Sequence, residues 1–327
     1  MSDSSLITFV LPTTDSVSSW VSVRAGETRL GETIKYRNDS NDWQSCKFHI
    51  LGVKESVGPQ LNIGRSGAEF AFDAFISRFL NTQANEFIEA TSICLHGFIA
   101  VNEFETSNEQ LVIELDDWIA DWTQQVVKVG GVPILIGGGH NNAYPLIKGS
   151  SLARGQKINV VNLDPHADVR DTSNRHSGNS FSTAFQNNFL DKYSVLGLHE
   201  AYNNQFILDS LRKMKAYTSF FESWIDEPLL FEENVNQVFN DFSNSSTSFG
   251  LELDMDAIEY MPSSAFTPTG ITITQARKYI RKMAKSKNVC YLNLTEAAPT
   301  NEQEQMIVGK TLSYLVLDFI KVNSAKK

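Results

Sequence analysis

Apolar residues along the chain gather into short runs separated by stretches of helical periodicity. Seven runs have strand length and nearly continuous hydrophobicity: residues 48–53, 92–99, 133–136, 158–163, 193–198, 249–253 and 289–294. A weaker eighth covers 216–221. Runs without polar alternation are expected of strands covered on both faces. Between them, Ala68, Ala71, Phe72, Phe75, Ile76 and Phe79 recur at three and four residues after Ser66, a cap candidate. Ser107 with Gln110 resembles a capping box, and it opens a stretch that sets Leu111, Leu115, Trp118, Ile119 and Trp122 on one face. Thr272 with Gln275 and Thr300 with Gln303 predict two later helix starts, and residues 241–248 read as a turn-rich loop. Strands alternating with helices predict an α/β fold, a three-layer αβα sandwich around a mainly parallel sheet of about eight strands.

Composition narrows the picture. The 327 residues carry 28 Lys plus Arg against 38 Asp plus Glu, a formal net charge of −10. Such a surface repels phosphate backbones, so no nucleic-acid partner is expected. The densest basic stretch, from Arg277 to Lys287, reads as the solvated face of a helix. No apolar run approaches the ~20 residues of a membrane span, and the N-terminal residues lack the basic start and apolar core of a secretory signal. A soluble cytoplasmic protein with no membrane partner is the expectation. Cys46, Cys94 and Cys290 are odd in number and far apart, which reads as buried inert thiols.

The polar residues fall where chemistry would need them. Three apolar runs each lead into histidine or aspartate: one into Gly137-Gly138-Gly139-His140, one into Asp164-Pro165-His166-Ala167-Asp168, and one into Asp254-Met255-Asp256. The carboxyl ends of strands form the ligand crevice of open α/β sheets. Asp164, His166 and Asp168 share a parity, as do Asp254 and Asp256, so extended backbone aims each set to one side. Two imidazoles and four carboxylates suit Mn²⁺ better than a sulfur-rich zinc site. Four carboxylates formally balance two divalent cations. These residues spread over much of the chain, so one catalytic domain over residues 1–327 is expected, with residues 1–45 as an N-terminal extension packed on it.

At these motifs the sequence resembles the ureohydrolases, the family of arginase, agmatinase and formimidoylglutamase. The resemblance runs from about Trp20 to the C-terminal helix and implies an arginase-like fold with two Mn²⁺ per chain. It implies one ion held by His140, Asp164, Asp168 and Asp254, and a second held by His166, Asp164, Asp254 and Asp256. Pro165 departs from the usual alanine. Asn141 stands where the formimidoylglutamase branch often has an acidic residue. The resemblance further implies that His176, in Arg175-His176-Ser177-Gly178-Asn179, shuttles protons beside the substrate. It gives Glu296 a partner in the substrate's cationic nitrogen group. His49, His96 and His199 read as structural, although His199 also ends a strand and could line the crevice.

The branches of the family differ in the tail of a small amidine or guanidine substrate, and an anionic tail calls for arginine. Arg170, two residues after Asp168, and the Arg175–Asn179 segment resemble the formimidoylglutamase branch, as does the stretch from Gly58 to Ala68. Arg170, Arg175, Ser177, Asn179, Asn62 and Arg65 are therefore the expected substrate contacts. The reaction implied is N-formimidoyl-L-glutamate plus water to L-glutamate and formamide, a step of histidine degradation. Arginase or another guanidino-acid hydrolase, a catalytically silent protein of the same fold, and a single-metal zinc deacylase are the alternatives. The resemblance also implies a homo-oligomer.

Overall fold

The computed structural model describes residues 6–37, 41–101 and 109–325. Ten strands run in chain order: β1 (Ile7–Val10), β2 (Lys35–Tyr36), β3 (Phe48–Lys54), β4 (Ile93–Val101) and β5 (Val132–Ile136), then β6 (Ile158–Leu163), β7 (Leu190–Leu198), β8 (Tyr217–Phe220), β9 (Phe249–Asp254) and β10 (Val289–Thr295). They form one sheet in the order β1-β4-β3-β5-β10-β9-β6-β7-β8, with β2 beside β4. Among the described residues every pairing of these strands is parallel except that of β1 with β4. All eight apolar runs are strands, and every residue of β5, β6, β9 and β10 is buried. The sheet gains two short strands, β1 and β2, from the N-terminal segment.

Helices cover both faces, which is why the strands carry no polar alternation. Ala71–Phe79, Leu230–Ser243, Ile273–Met283 and Glu302–Ser324 pack one apolar layer. Glu109–Lys128, Ala143–Arg154, Ser180–Gln186 and Gln205–Met214 pack the other. The capping box at Thr272 forms, with reciprocal bonds to Gln275 of 2.9 and 3.1 Å. The one expected at Thr300 shifts: Asn301 caps Glu302–Ser324, and Glu304 reaches back to the Thr300 N–H. Ser66 is not a cap, because Gly67 turns left-handed (φ +119°) into a 3-10 turn, Ala68–Phe70, ahead of Ala71–Phe79. Ser107 lies outside the described residues. Residues 241–243 are helical rather than loop, because Phe242 is buried 5.3 Å from Phe249. The basic face of Ile273–Met283 is not wholly solvated either, since Arg277 and Arg281 both bind the buried Asp318 at 2.6 and 2.8 Å.

His49 on β3 and His96 on β4 form a buried chain away from the strand ends. His49 Nε2 faces the Cys46 carbonyl at 3.0 Å and so carries the proton there, leaving Nδ1 to accept from His96 Nε2 at 2.9 Å. His96 Nδ1 in turn accepts from Trp122 Nε1 and Arg37 Nη1, at 3.1 and 3.0 Å. Burial holds both imidazoles neutral, His49 pushed down to about 4 and His96 to about 2. Both are structural, and all three cysteines are buried free thiols.

Candidate functional site

Four adjacent parallel strands, β5-β10-β9-β6, deliver the acidic and imidazole groups to one place. Register makes them level: Leu294 pairs with Ile136 and Leu253, and Leu163 also pairs with Leu253. The residues that follow are therefore the glycine turn, Glu296, Asp254 and Asp164. Gly137 and Gly138 take φ of +89° and +68°, a path open to glycine, which lets β5 swing His140 back over the sheet.

His140, Asp164, Asp168 and Asp254 form a buried quartet whose ligand atoms all lie within 4.8 Å of one another. Its Nδ1 stands 3.1 Å from Asp164 Oδ2, 3.0 Å from Asp168 Oδ2 and 3.1 Å from Asp254 Oδ2. Donors about 2.1 Å from a common octahedral cation at right angles would be about 3.0 Å apart, so the quartet has the spacing of a divalent-ion site. The electrostatics agree. Burial, then the Asp256 and Asp164 charges, raises Asp254 well above the usual carboxylate range; burial and Asp164 also raise Asp168. A cation held by the quartet would remove that repulsion.

His166 and Asp256 stand beside the quartet in a looser arrangement. His166 Nδ1 is 3.5 Å from Asp164 Oδ1 and 3.7 Å from Asp256 Oδ2. The remaining oxygens of Asp164 and Asp254 curl back onto the N–H groups of His166 and Asp256, both at 2.7 Å, fixing the turns at the strand ends. Tyr202 stacks on His166 with ring centroids 5.2 Å apart, and His199 stacks on Tyr202 at 5.1 Å. His199 thus supports the site from behind.

The cleft over this cluster has about 280 Å³ of water-accessible space, with Asn62, Arg170, Ser177, Tyr202, Asn203 and Glu296 among its walls. Glu296 has a left-handed φ of +66°, and its Oε1 accepts from the His140 N–H at 2.6 Å. Its Oε2 is buried with no partner. Burial and Asp256 push this carboxyl up to about 8. Arg170 is the only lysine or arginine among the lining residues, and Asn62 Nδ2 donates to Ser177 Oγ at 3.3 Å.

Other expected contacts lie elsewhere. Arg175 is buried and makes five hydrogen bonds inside the fold: to both Asp116 oxygens (2.8 and 3.1 Å), Asn179 Oδ1 (2.6 Å), and the His176 and Asn141 carbonyls. Asn179 is fully buried, and its amide also donates to the Asp171 and Asn174 carbonyls. Neither side chain is among the residues lining the cleft, and both hold the loop together. Arg65 binds the Ala298 carbonyl at 2.9 Å outside the lining. His176 lines an adjoining depression that shares Arg170 and Ile207 with the cleft. Its Nδ1 accepts from the Gly178 N–H at 3.1 Å. Burial, then Arg170 and Arg175, pushes it down to about 4, so it is a neutral imidazole at pH 7.

Two buried acids that the sequence reading passed over complete the surroundings. Glu252, inside β9, accepts from Tyr291 Oη (2.6 Å) and Asn293 Nδ2 (2.7 Å) and lies 3.5 Å from His140 Nε2. A carboxylate behind a ligand imidazole fixes its tautomer and orientation. Glu55 follows β3 and binds the Gly139 N–H at 2.7 Å. A charged residue within an apolar run, and an acid directly after a strand, were the signals that could have found them.

Known proteins share this architecture. A formimidoylglutamase of Streptococcus gordonii is 26% identical over 283 residues, covering 83% of each chain. The structure of Bacillus subtilis formimidoylglutamase superposes with a TM-score of 0.76 at 18% identity, covering 92% of this chain and 94% of its own. A Trypanosoma cruzi formiminoglutamase variant determined with Mn²⁺ also gives 0.76, at 17% identity, covering 92% of this chain and 99% of its own. The model of the arginase family matches residues 47–320, and the chain belongs to that family.

Proposed function

We propose that the chain is a binuclear-manganese hydrolase that converts N-formimidoyl-L-glutamate and water to L-glutamate and formamide. The observation that carries this reading is the convergence of the His140 quartet and the unpartnered Glu296 Oε2 on a cleft whose one arginine is Arg170. The formimidoylglutamases among its relatives support the choice of substrate. His140, Asp164, Asp168 and Asp254 would hold one ion, and His166, Asp164, Asp254 and Asp256 the second. Bound manganese would supply a Lewis acid that lets water ionise near neutral pH.

The chain's own residues do the rest. Glu296 Oε2 receives the N–H groups of the formimidoyl end and sets its carbon over the quartet. Arg170 presents a planar fork to a carboxylate of the tail, which a lysine could not match. Ser177 and Asn62 supply smaller polar contacts on the same wall. Water adds to the formimidoyl carbon, the bond to the glutamate nitrogen breaks, and that nitrogen leaves with a proton that the water gave up. His176, neutral and in the adjoining depression beside Arg170, would take up that proton before it could pass it on. Residues 1–327 act as one catalytic domain, in the cytoplasm and as a homo-oligomer; no helix among the described residues is long and apolar enough to cross a membrane.

A second reading has one observation in its favour. A single arginine matches one carboxylate, whereas formimidoylglutamate carries two, so a guanidino acid with one carboxylate fits the lining charge as well. Metal analysis together with assays on formimidoylglutamate, arginine, agmatine and 4-guanidinobutyrate separates the two. Formamide release with manganese bound supports the first reading, and urea release establishes the second. Arg170 is exposed at the cleft wall, so Arg170→Ala should weaken kcat/KM on the true substrate by ~1 kcal/mol, the upper end for an exposed ion pair, with manganese retained.

A further inference from the structure

Glu55 is 2% exposed and stands at the end of β3, beside the strand that leads to His140. Its two oxygens face different segments. Oε1 accepts from the Gly139 N–H at 2.7 Å and from Asn142 Nδ2 at 3.4 Å, on either side of the ligand His140. Oε2 accepts from the Gly58 N–H at 3.0 Å. Gly58 lies in the short helix Val57–Leu61, which leads into the cleft mouth, where Pro59, Asn62, Ile63 and Gly64 line the opening. The segments touch with no room between them: a Cβ on Gly139 would collide with Pro59, and one on Gly58 with Asn141.

We propose that Glu55 is a positioning residue that ties the cleft mouth to the metal turn, so that the seat of His140 and the wall that meets the substrate tail move as one. This rests on the manganese-hydrolase reading. The physical basis is local. A buried carboxylate that accepts backbone N–H groups makes charge-assisted bonds stronger than neutral ones, and it fixes donors that no other group here satisfies. With Glu296 on the His140 N–H, two successive amides of the metal turn are each held by an acid from a neighbouring strand end.

Glu55→Gln keeps the shape but turns an NH₂ toward one of the two N–H donors. Glu55→Asp keeps the charge and shortens the reach. In the metal-depleted full-length chain, Glu55→Gln should speed hydrogen exchange in both the 57–64 and 137–142 peptides, with the remote 217–243 region unchanged. Manganese affinity should fall ~10–100-fold, the usual cost of losing a group behind the ligands. Glu55→Asp should loosen both segments less and lie between. Unchanged affinity in both variants, or loosening confined to one segment in Glu55→Gln, overturns the proposal. So does faster exchange throughout the chain in both variants, which would make Glu55 a general stability residue. A wild-type chain that binds no manganese would defeat the proposed function instead, while the exchange comparison still decides the role of Glu55.

Discussion

Arg175→Met tests whether the loop beside the cleft is built on a buried ion pair. The guanidinium joins three segments: Asp116 on helix Glu109–Lys128, the Asn141 carbonyl after the metal turn, and Asn179 with the His176 carbonyl in the loop. Methionine preserves much of the stem, so the loss is the five hydrogen bonds and the charge. Removing one partner of a buried pair costs ~3–5 kcal/mol, because the other charge is left without compensation. Burial already raises Asp116 to about 6 even beside Arg175. Without the guanidinium its carboxyl titrates higher still, and an acid whose folded pKa lies above its unfolded value loses stability as pH rises through it. The penalty should therefore be full near pH 8 and shrink below about pH 6, where Asp116 is protonated in both proteins. Urea denaturation of both chains at pH 8 and pH 5.5, in chelator, reads this directly. Asp116→Leu combined with Arg175→Met should recover part of the loss. A loss under ~1 kcal/mol at pH 8, the worth of an exposed pair, accompanied by a raised KM on one substrate only, would falsify this account and return Arg175 to substrate binding.

Acid should destabilise the wild-type chain through His49 and His96. Both lie below 6.5 in the folded state, so the unfolded chain takes up protons first and stability falls as pH drops from about 6.5 toward 4. At pH 5.5 each group costs about 1.4 kcal/mol, roughly 3 together. The raised Glu296 acts in the opposite direction, so the check is a His49→Asn, His96→Gln chain in chelator, and a denaturant midpoint change between pH 7.5 and 5.5 no different from that of the wild type would contradict it. Asp254→Asn should release manganese more completely than the ~10–100-fold affinity loss typical of outer partners, because Asp254 is shared by both proposed ion sites; elemental analysis that finds undiminished metal would remove it from the ligand set. His176→Ala should leave kcat far closer to wild type than the ~10²–10⁴-fold loss expected of a general acid. A loss in that range, with metal content intact, would reinstate the proton-shuttle role.

Much of the fold and of the His140 quartet was legible because both depend on local pattern. Buried parallel strands must be continuously apolar, and an aspartate at the end of such a strand is conspicuous. Legibility ends where partners are distant. The β1 and β2 strands are four and two residues long at the sheet's margin, too short for any periodicity. Arg175 looked like a free cation next to a site because its partner, Asp116, comes from a helix 59 residues earlier. His176 is marked as a proton carrier by its place in a motif, but its charge state is set by burial and then by Arg170, which only the folded chain displays. Glu252 was visible as an acid within an apolar run, but its meaning depends on Tyr291 and Asn293 from the strand beside it.

The sheet order has a consequence for how the chain comes into being. β10, made after every other strand of the sheet, lies between β9, which ends in Asp254, and β5, which leads to His140. A nascent chain that ends before residue 289 has no strand to set those two groups 3.1 Å apart, however well its earlier helices have formed. Insertion of β10 is a long-range event, slow in the way that non-local pairing is slow. Manganese capture during synthesis should therefore mark completion of the sheet rather than guide it, and C-terminal truncations should lose the metal together with the fold's centre.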